Sequence, residues 1–141
     1  GCGKTSLMTL LRFMLAPKEQ YLIKSTRDIT LEFIQDGYSV INKYSKAAFQ
    51  QTSGELIPKA YCFDDLGVES NIKYYGNETN VMAEILLSRY DMFISRHMLT
   101  HATTNLSASE IENCYGNRVR SRMREMMNVI AFEKEAKDKR I

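Results

Sequence analysis

The sequence predicts an α/β fold built on a mostly parallel sheet. Three observations carry this reading. Short apolar runs at 21–25, 59–63 and 99–104 have the length of buried strands. Stretches with helical periodicity, at 7–16, 26–35 and 81–97, separate them. A glycine-lysine segment, GCGKTS at 1–6, runs directly into the first of these helices. Parallel strands need a long crossover between them, and helices of this length supply it.

Taken in order, Leu7, Leu10, Leu11, Met14 and Leu15 recur at helical spacing, and Pro17 ends the run. An extended segment at 21–25 follows. The next helix spans 26–35, with Asp28 as its cap, Ile29, Phe33 and Ile34 on one face, and Gly37 closing it. Residues 38–51 fit a helix or a strand, and 52–55 read as a turn. The run 59–63 ends abruptly in Asp64 and Asp65, as a buried strand delivering two carboxylates at its end. Residues 66–80 read as a polar loop. From 81 to 97, Met82, Ile85, Leu86, Tyr90, Phe93 and Ile94 mark an amphipathic helix. A strand at 99–104 ends in Asn105. Ser107 and Glu110 form a capping box opening a helix that stops near Gly116. Residues 117–127 form a basic helix, and 129–132 a last strand before a charged tail.

The 141 residues form one domain's worth of chain, read as a single unit over 1–141. Hydrophobic residues at 44% and charged residues at 26% exclude a disordered tail or a disulfide-stapled miniprotein. Lys plus Arg is 19 against 17 Asp plus Glu, so a net charge of +2 excludes a uniformly basic nucleic-acid coat. Cys2, Cys62 and Cys114 are scattered, and with His97 and His101 they lack the clustered spacing of a zinc site. Reduced thiols, no membrane span and no signal segment predict a cytoplasmic protein.

Two motifs carry chemistry. Gly-x-Gly-Lys-Thr before a helix is the latter half of a Walker A loop. Gly1, Cys2, Gly3, Lys4, Thr5 and Ser6 would cradle phosphate oxygens with backbone N–H groups and the helix N-terminus. Lys4 would reach the β- and γ-phosphates, and Thr5 would offer its hydroxyl to Mg²⁺. A plain glycine turn with an exposed lysine is the alternative. The second motif is Walker B: Asp64 would hold the Mg²⁺ shell and Asp65 would polarise the attacking water, against the alternative of an acidic turn. Asn105, at the next strand end, could bond the γ-phosphate or that water. The strand leading into a phosphate loop lies centrally in a parallel sheet, so the chain is expected to be a fragment truncated before Walker A, poorly stable and weak in nucleotide binding.

Residues 117–126 carry Arg118, Arg120, Arg122 and Arg124. Arg118 and Arg122 share one helix face, and Arg120 and Arg124 another. The second pair reads as a solvated face. The first fits an arginine finger, with nucleic-acid phosphate binding as the rival reading.

Together, GCGKTS at 1–6, YCFDDLG at 61–67, ATTNLS at 102–107 and YGNRVRSRMREM at 115–126 resemble AAA+ ATPases of the DnaC/IstB-like group. That group comprises helicase loaders and transposition helper ATPases related to DnaA. The resemblance implies a P-loop NTPase of the three-layer AAA+ type, with ATP and Mg²⁺ bound and ATP hydrolysed. It matches Asn105 to the sensor-1 residue and Arg122 to the arginine finger, with Arg118 as companion, and so implies a homo-oligomer. It also implies a replicative helicase or a transposase as partner, and single-stranded DNA. Departures are the missing start of the loop, Asp where many members have Glu at 65, and no lid with a sensor-2 arginine after Phe132. For DNA, the stretch 27–46 offers Arg27, Lys43 and Lys46, with Tyr38 and Tyr44 for stacking; surface lysines and packed tyrosines are the favoured account at +2. The expected function is a helicase-loading ATPase switch. A transposition helper and a nucleotide-dependent adaptor with little hydrolysis are the alternatives, and a small-molecule kinase ranks last.

Overall fold

The computed structural model describes residues 3–69, 72–74 and 77–132. Gly1, Cys2 and the charged tail from 133 lie outside the described residues. The first helix, α1, spans Lys4–Met14, and a 3-10 turn at Pro17–Glu19 leads into β1, Leu22–Ser25. Then follow α2 (Thr26–Asp36), α3 (Ser39–Lys43), the hairpin β2–β3 (Phe49–Thr52, Glu55–Pro58) and β4 (Tyr61–Leu66). A second hairpin, β5–β6 (Ile72–Tyr74, Asn77–Thr79), precedes α4 (Val81–Arg96), β7 (Thr100–Thr104), α5 (Ala108–Tyr115) and α6 (Asn117–Met126).

The architecture is α/β: a three-stranded parallel sheet in the order β1-β4-β7, flanked by helices. Register places Tyr61 beside Leu22 and Thr100, and Cys62 beside Ile23 and His101. Strand side chains alternate faces. One face therefore carries Tyr61, Phe63 and Thr100, against which α2, α3 and α4 bring Ile29, Phe33, Val40, Tyr44, Ile85 and Leu86 into one buried core. Each such large apolar side chain contributes about 1.5–3 kcal/mol relative to exposure. The other face carries Cys62, Asp64, His101 and Thr103.

Arg89 of α4 pins this core. It is fully buried, and its Nε donates to Thr100 Oγ1 at 2.7 Å. Its two Nη groups donate to the carbonyls of Tyr44 (2.8 Å), Lys59 (3.0 Å) and Leu99 (2.7 Å). The guanidinium also lies over the rings of Tyr61 and Phe63. Burial pulls its pKa down to about 10, so it remains a cation at neutral pH, its charge spread over four acceptors.

Local chemistry sets the element ends. Ser25, not Asp28, caps α2: its Oγ accepts the Asp28 N–H at 3.4 Å, which puts Asp28 inside the first turn, still favourable toward the helix dipole. The buried stripe of α2 is Thr26, Ile29, Thr30 and Phe33; Ile34 sits about 100° round from Phe33 and is exposed. The open stretch 38–51 holds both alternatives, α3 and then β2. The turn at 52–55 has Ser53 and Gly54 at φ 51° and 82°, the two left-handed residues that a tight hairpin requires. The Ser107–Glu110 capping box forms as read.

Two further expectations are corrected. Residues 66–80 are not a plain loop, since they contain β5 and β6, whose two short strands satisfy each other's backbone groups. Residues 129–132 form no strand: the run is apolar, but it pairs with no strand among the described residues, and Val129 and Ile130 are exposed. The apolar stripe of α1 is not buried either. No residue of α1 is buried, and Leu10, Phe13 and Met14 are largely exposed, because the described residues supply no apolar surface opposite them.

Candidate functional site

The site begins at Gly3, which stands at φ 83° and caps α1 without a side-chain bond. A Cβ there would meet no atom, so its requirement is conformational: positive φ strains any other residue. The first helical bond is Leu7 N–H to Gly3 O at 2.8 Å. The N–H groups of Lys4, Thr5 and Ser6 precede it at the N-terminus of α1, the helix end that attracts anions.

Thr5 connects this loop to the sheet. Its Oγ1 donates to Asp64 Oδ1 at 2.9 Å. From the other side Thr103 Oγ1 donates to the same oxygen at 2.6 Å. One carboxylate oxygen therefore takes two protons, one from α1 and one from β7. Because the Thr5 proton is directed at Asp64, the lone pairs of its oxygen stay available to a cation.

The strand carrying the acids is irregular where they sit. Phe63 pairs with Ala102 and Leu66 with Thr104, so Asp64 and Asp65 together oppose the single residue Thr103. This is a β-bulge, a device that re-aims side chains at strand ends. Asp65 adopts φ 57°, a left-handed conformation uncommon outside glycine. Its peptide is held on both sides: Asp65 N–H donates to Thr103 Oγ1 at 2.9 Å, and Thr26 Oγ1 donates to Asp65 O at 2.9 Å. Immediately after the bulge, Gly67 stands at φ 103° with its Hα side against Leu106; a Cβ would come within 2.4 Å of Leu106 Cδ1.

The remaining sequence-predicted residues make contacts of their own or stand exposed. Lys4 is half-buried, with Nζ 6.0 Å from the centre of the Phe132 ring. Ser6 is exposed at the helix start, and Asn105 is exposed two residues past Thr103. Arg118 is exposed on α6. Arg122 is engaged within its own chain, stacked over Tyr90 at 4.5 Å and bonded to Glu125 Oε1 at 3.3 Å. Tyr90 also donates to Glu125, and that bond, with Arg122 nearby, holds the Glu125 carboxyl below its ordinary range. Arg120, on the other face, bonds Glu112.

Of the aromatic candidates for DNA, Tyr44 is buried, donates to Glu32 at 2.7 Å and is pushed well above the usual phenol range by burial and that bond. It presents no face to a base. Tyr38 is half-exposed, packs edge-on to Phe33 and shares a hydrogen bond with Thr79. Lys43 pairs with Glu32 at 3.4 Å, while Arg27 and Lys46 are exposed.

Sequence reasoning missed Thr103 and Thr26 as parts of the site. A threonine within β7 or at the first position of α2 is ordinary, and what singles these two out is their bonds to the bulge, which leaves no periodic trace. Among the described residues no group of three or more His, Cys, Asp or Glu side chains is placed to hold a metal, and no helix is long and apolar enough to cross a membrane. Comparison of the chain with family models, curated proteins and solved structures finds no match.

Proposed function

We propose that the chain is the core of a Mg²⁺-dependent, ATP-hydrolysing switch of the P-loop AAA+ type. It assembles with copies of itself on DNA and loads a replicative helicase. The hydrogen bond from Thr5 to Asp64 carries this reading. It joins the loop that would receive phosphates to the carboxylate that would hold the cation, across 59 positions of sequence.

The residues fit such a cation by their chemistry. Thr5 and Asp64 offer oxygen only, the donor type Mg²⁺ takes, and a set this small suits an ion that keeps waters and completes its shell with substrate phosphate. When bound, Mg²⁺ supplies charge neutralisation at the phosphates. The chain's own part is electrostatic. The N–H groups of Lys4, Thr5 and Ser6 and the Lys4 ammonium bind the phosphate oxygens. Asp65 takes the proton of the attacking water as the γ-phosphoryl group leaves ADP, and Asn105 orients that water. Arg122 of a neighbouring copy, with Arg118 beside it, offsets the charge that develops on the transferred group. Hydrolysis then depends on assembly.

The engagement of Arg122 by Tyr90 and Glu125 in its own chain favours a second reading, an adaptor that binds nucleotide and hydrolyses little until it meets its partner. A transposase would be the partner of a transposition helper built on the same site. Asp65→Asn keeps the left-handed backbone, because Asn tolerates it as Asp does. It is expected to cut turnover by about 10²–10⁴-fold while ATP binding persists. Unchanged turnover would count against Asp65 as base, and no turnover in the parent chain with DNA and partner would favour the adaptor.

A further inference from the structure

We infer that Thr103 is a positioning residue for the cation site. Its buried hydroxyl sets both the rotamer of Asp64 and the backbone of Asp65, and so fixes the affinity for Mg²⁺ at this site. The inference rests on the reading of Asp64 as the carboxylate that serves Mg²⁺.

Thr103 is 5% exposed, and its hydroxyl carries one proton and two lone pairs. The proton goes to Asp64 Oδ1 at 2.6 Å, and one lone pair receives the Asp65 N–H at 2.9 Å. Both bonds run across the bulge, where two residues of β4 oppose this one residue of β7. A regular strand would send the Asp64 and Asp65 side chains to opposite faces. The bulge and the positive φ at Asp65 break that alternation, and left-handed backbone at a residue bearing a Cβ persists where surroundings hold it. Thr103 holds the N–H side of that residue and Thr26 the carbonyl side.

With Oδ1 taken by Thr5 and Thr103, the plane of the Asp64 carboxylate is set by two donors on different elements. Oδ2 accepts no hydrogen bond among the described residues, and it is the oxygen left to a cation or its water shell. Donors behind a ligating carboxylate typically govern metal affinity by about 10–100-fold. A threonine merely filling space on β7 would have no such effect, since valine fills the same space.

The test measures ATP binding by the full chain as Mg²⁺ is titrated, alongside binding in chelator alone, for Thr103→Val, Thr103→Ser and Asp64→Asn. The inference expects Thr103→Val to raise the half-saturating Mg²⁺ concentration by about tenfold or more. Thr103→Ser should stay near the parent, and chelator binding should stay unchanged throughout. Thr103→Val titrating like the parent, while Asp64→Asn loses the Mg²⁺ response, overturns the role of Thr103 and leaves the cation site standing. Indifference of Asp64→Asn itself overturns the cation reading and this inference with it. If Thr103→Val does not fold, Thr103→Ser and Thr103→Cys decide. They match in size and differ in donor strength, and equal Mg²⁺ titrations for the two overturn the inference.

Discussion

Thr5 Oγ1 lies 2.9 Å from Asp64 Oδ1, joining the start of α1 to the bulged end of β4. The contact is local in neither sequence nor secondary structure. It exists because β4 runs parallel between β1 and β7 and ends beside the loop that begins α1. The carboxyl ends of parallel strands are where open α/β sheets receive ligands.

Arg122 supplies a prediction about assembly. In the single chain its guanidinium rests on Tyr90 and Glu125. If it completes a neighbour's site, Arg122→Ala abolishes the rise in specific turnover with protein concentration, a loss of up to about 10³–10⁵-fold where the finger dominates. ATP affinity should stay near the parent value, and Arg120→Ala, whose side chain bonds Glu112, should keep the concentration dependence. Steady-state assays across a range of protein concentration decide it, and loss of ATP affinity in Arg122→Ala would point to a structural role instead.

His101 supplies a pH prediction. Its ring packs on Tyr21 at 4.8 Å, and burial, then the charge of Arg89, holds its pKa below the ordinary 6.5. The unfolded chain therefore binds a proton that the native chain refuses. The His101 contribution is complete above about pH 6.5 and is lost as pH falls toward the native value. Denaturant midpoints measured from neutral to mildly acidic pH should fall for the parent and fall less for His101→Phe, which keeps a ring against Tyr21. Parallel slopes for the two would remove His101 from the account.

Arg89 supplies a stability prediction. Arg89→Leu leaves the carbonyls of Tyr44, Lys59 and Leu99 without this donor, at about 1–3 kcal/mol for each that stays buried and unsatisfied. Stability should drop by at least ~3 kcal/mol, enough to unfold a marginal domain. Urea unfolding measures it, and a change below ~1 kcal/mol would mean that water reaches those carbonyls.

What the sequence made legible follows the range of each signal. The order of β1, α2, β4, α4, β7, α5 and α6 was readable because each carries its own periodicity, cap or turn residue. Ser107 with Glu110 announces α5 within four residues. Thr5 and Asp64 were readable as candidates because the residue types demanded by phosphate and Mg²⁺ are few. Arg89 was not legible: a charge within an amphipathic pattern reads as solvent-facing, and only the meeting of four acceptors from distant segments makes its burial tolerable. Thr103 was passed over for Asn105 because the bulge shifts the register at the strand end. Residues 129–132 show the converse failure, since apolar β-branched residues express a preference that becomes a strand only beside an unpaired neighbour.

The central claim is that Thr5 and Asp64 serve one Mg²⁺-bridged nucleotide together with Lys4. Calorimetric titration of the full chain with ATP, in Mg²⁺ and in chelator, tests it most directly. Binding should be tighter in Mg²⁺, that response should vanish in Asp64→Asn, and affinity should fall by about tenfold or more in Lys4→Ala, as expected for losing a charged hydrogen-bond donor. Binding that ignores Mg²⁺, or that survives Lys4→Ala and Asp64→Asn undiminished, would contradict it.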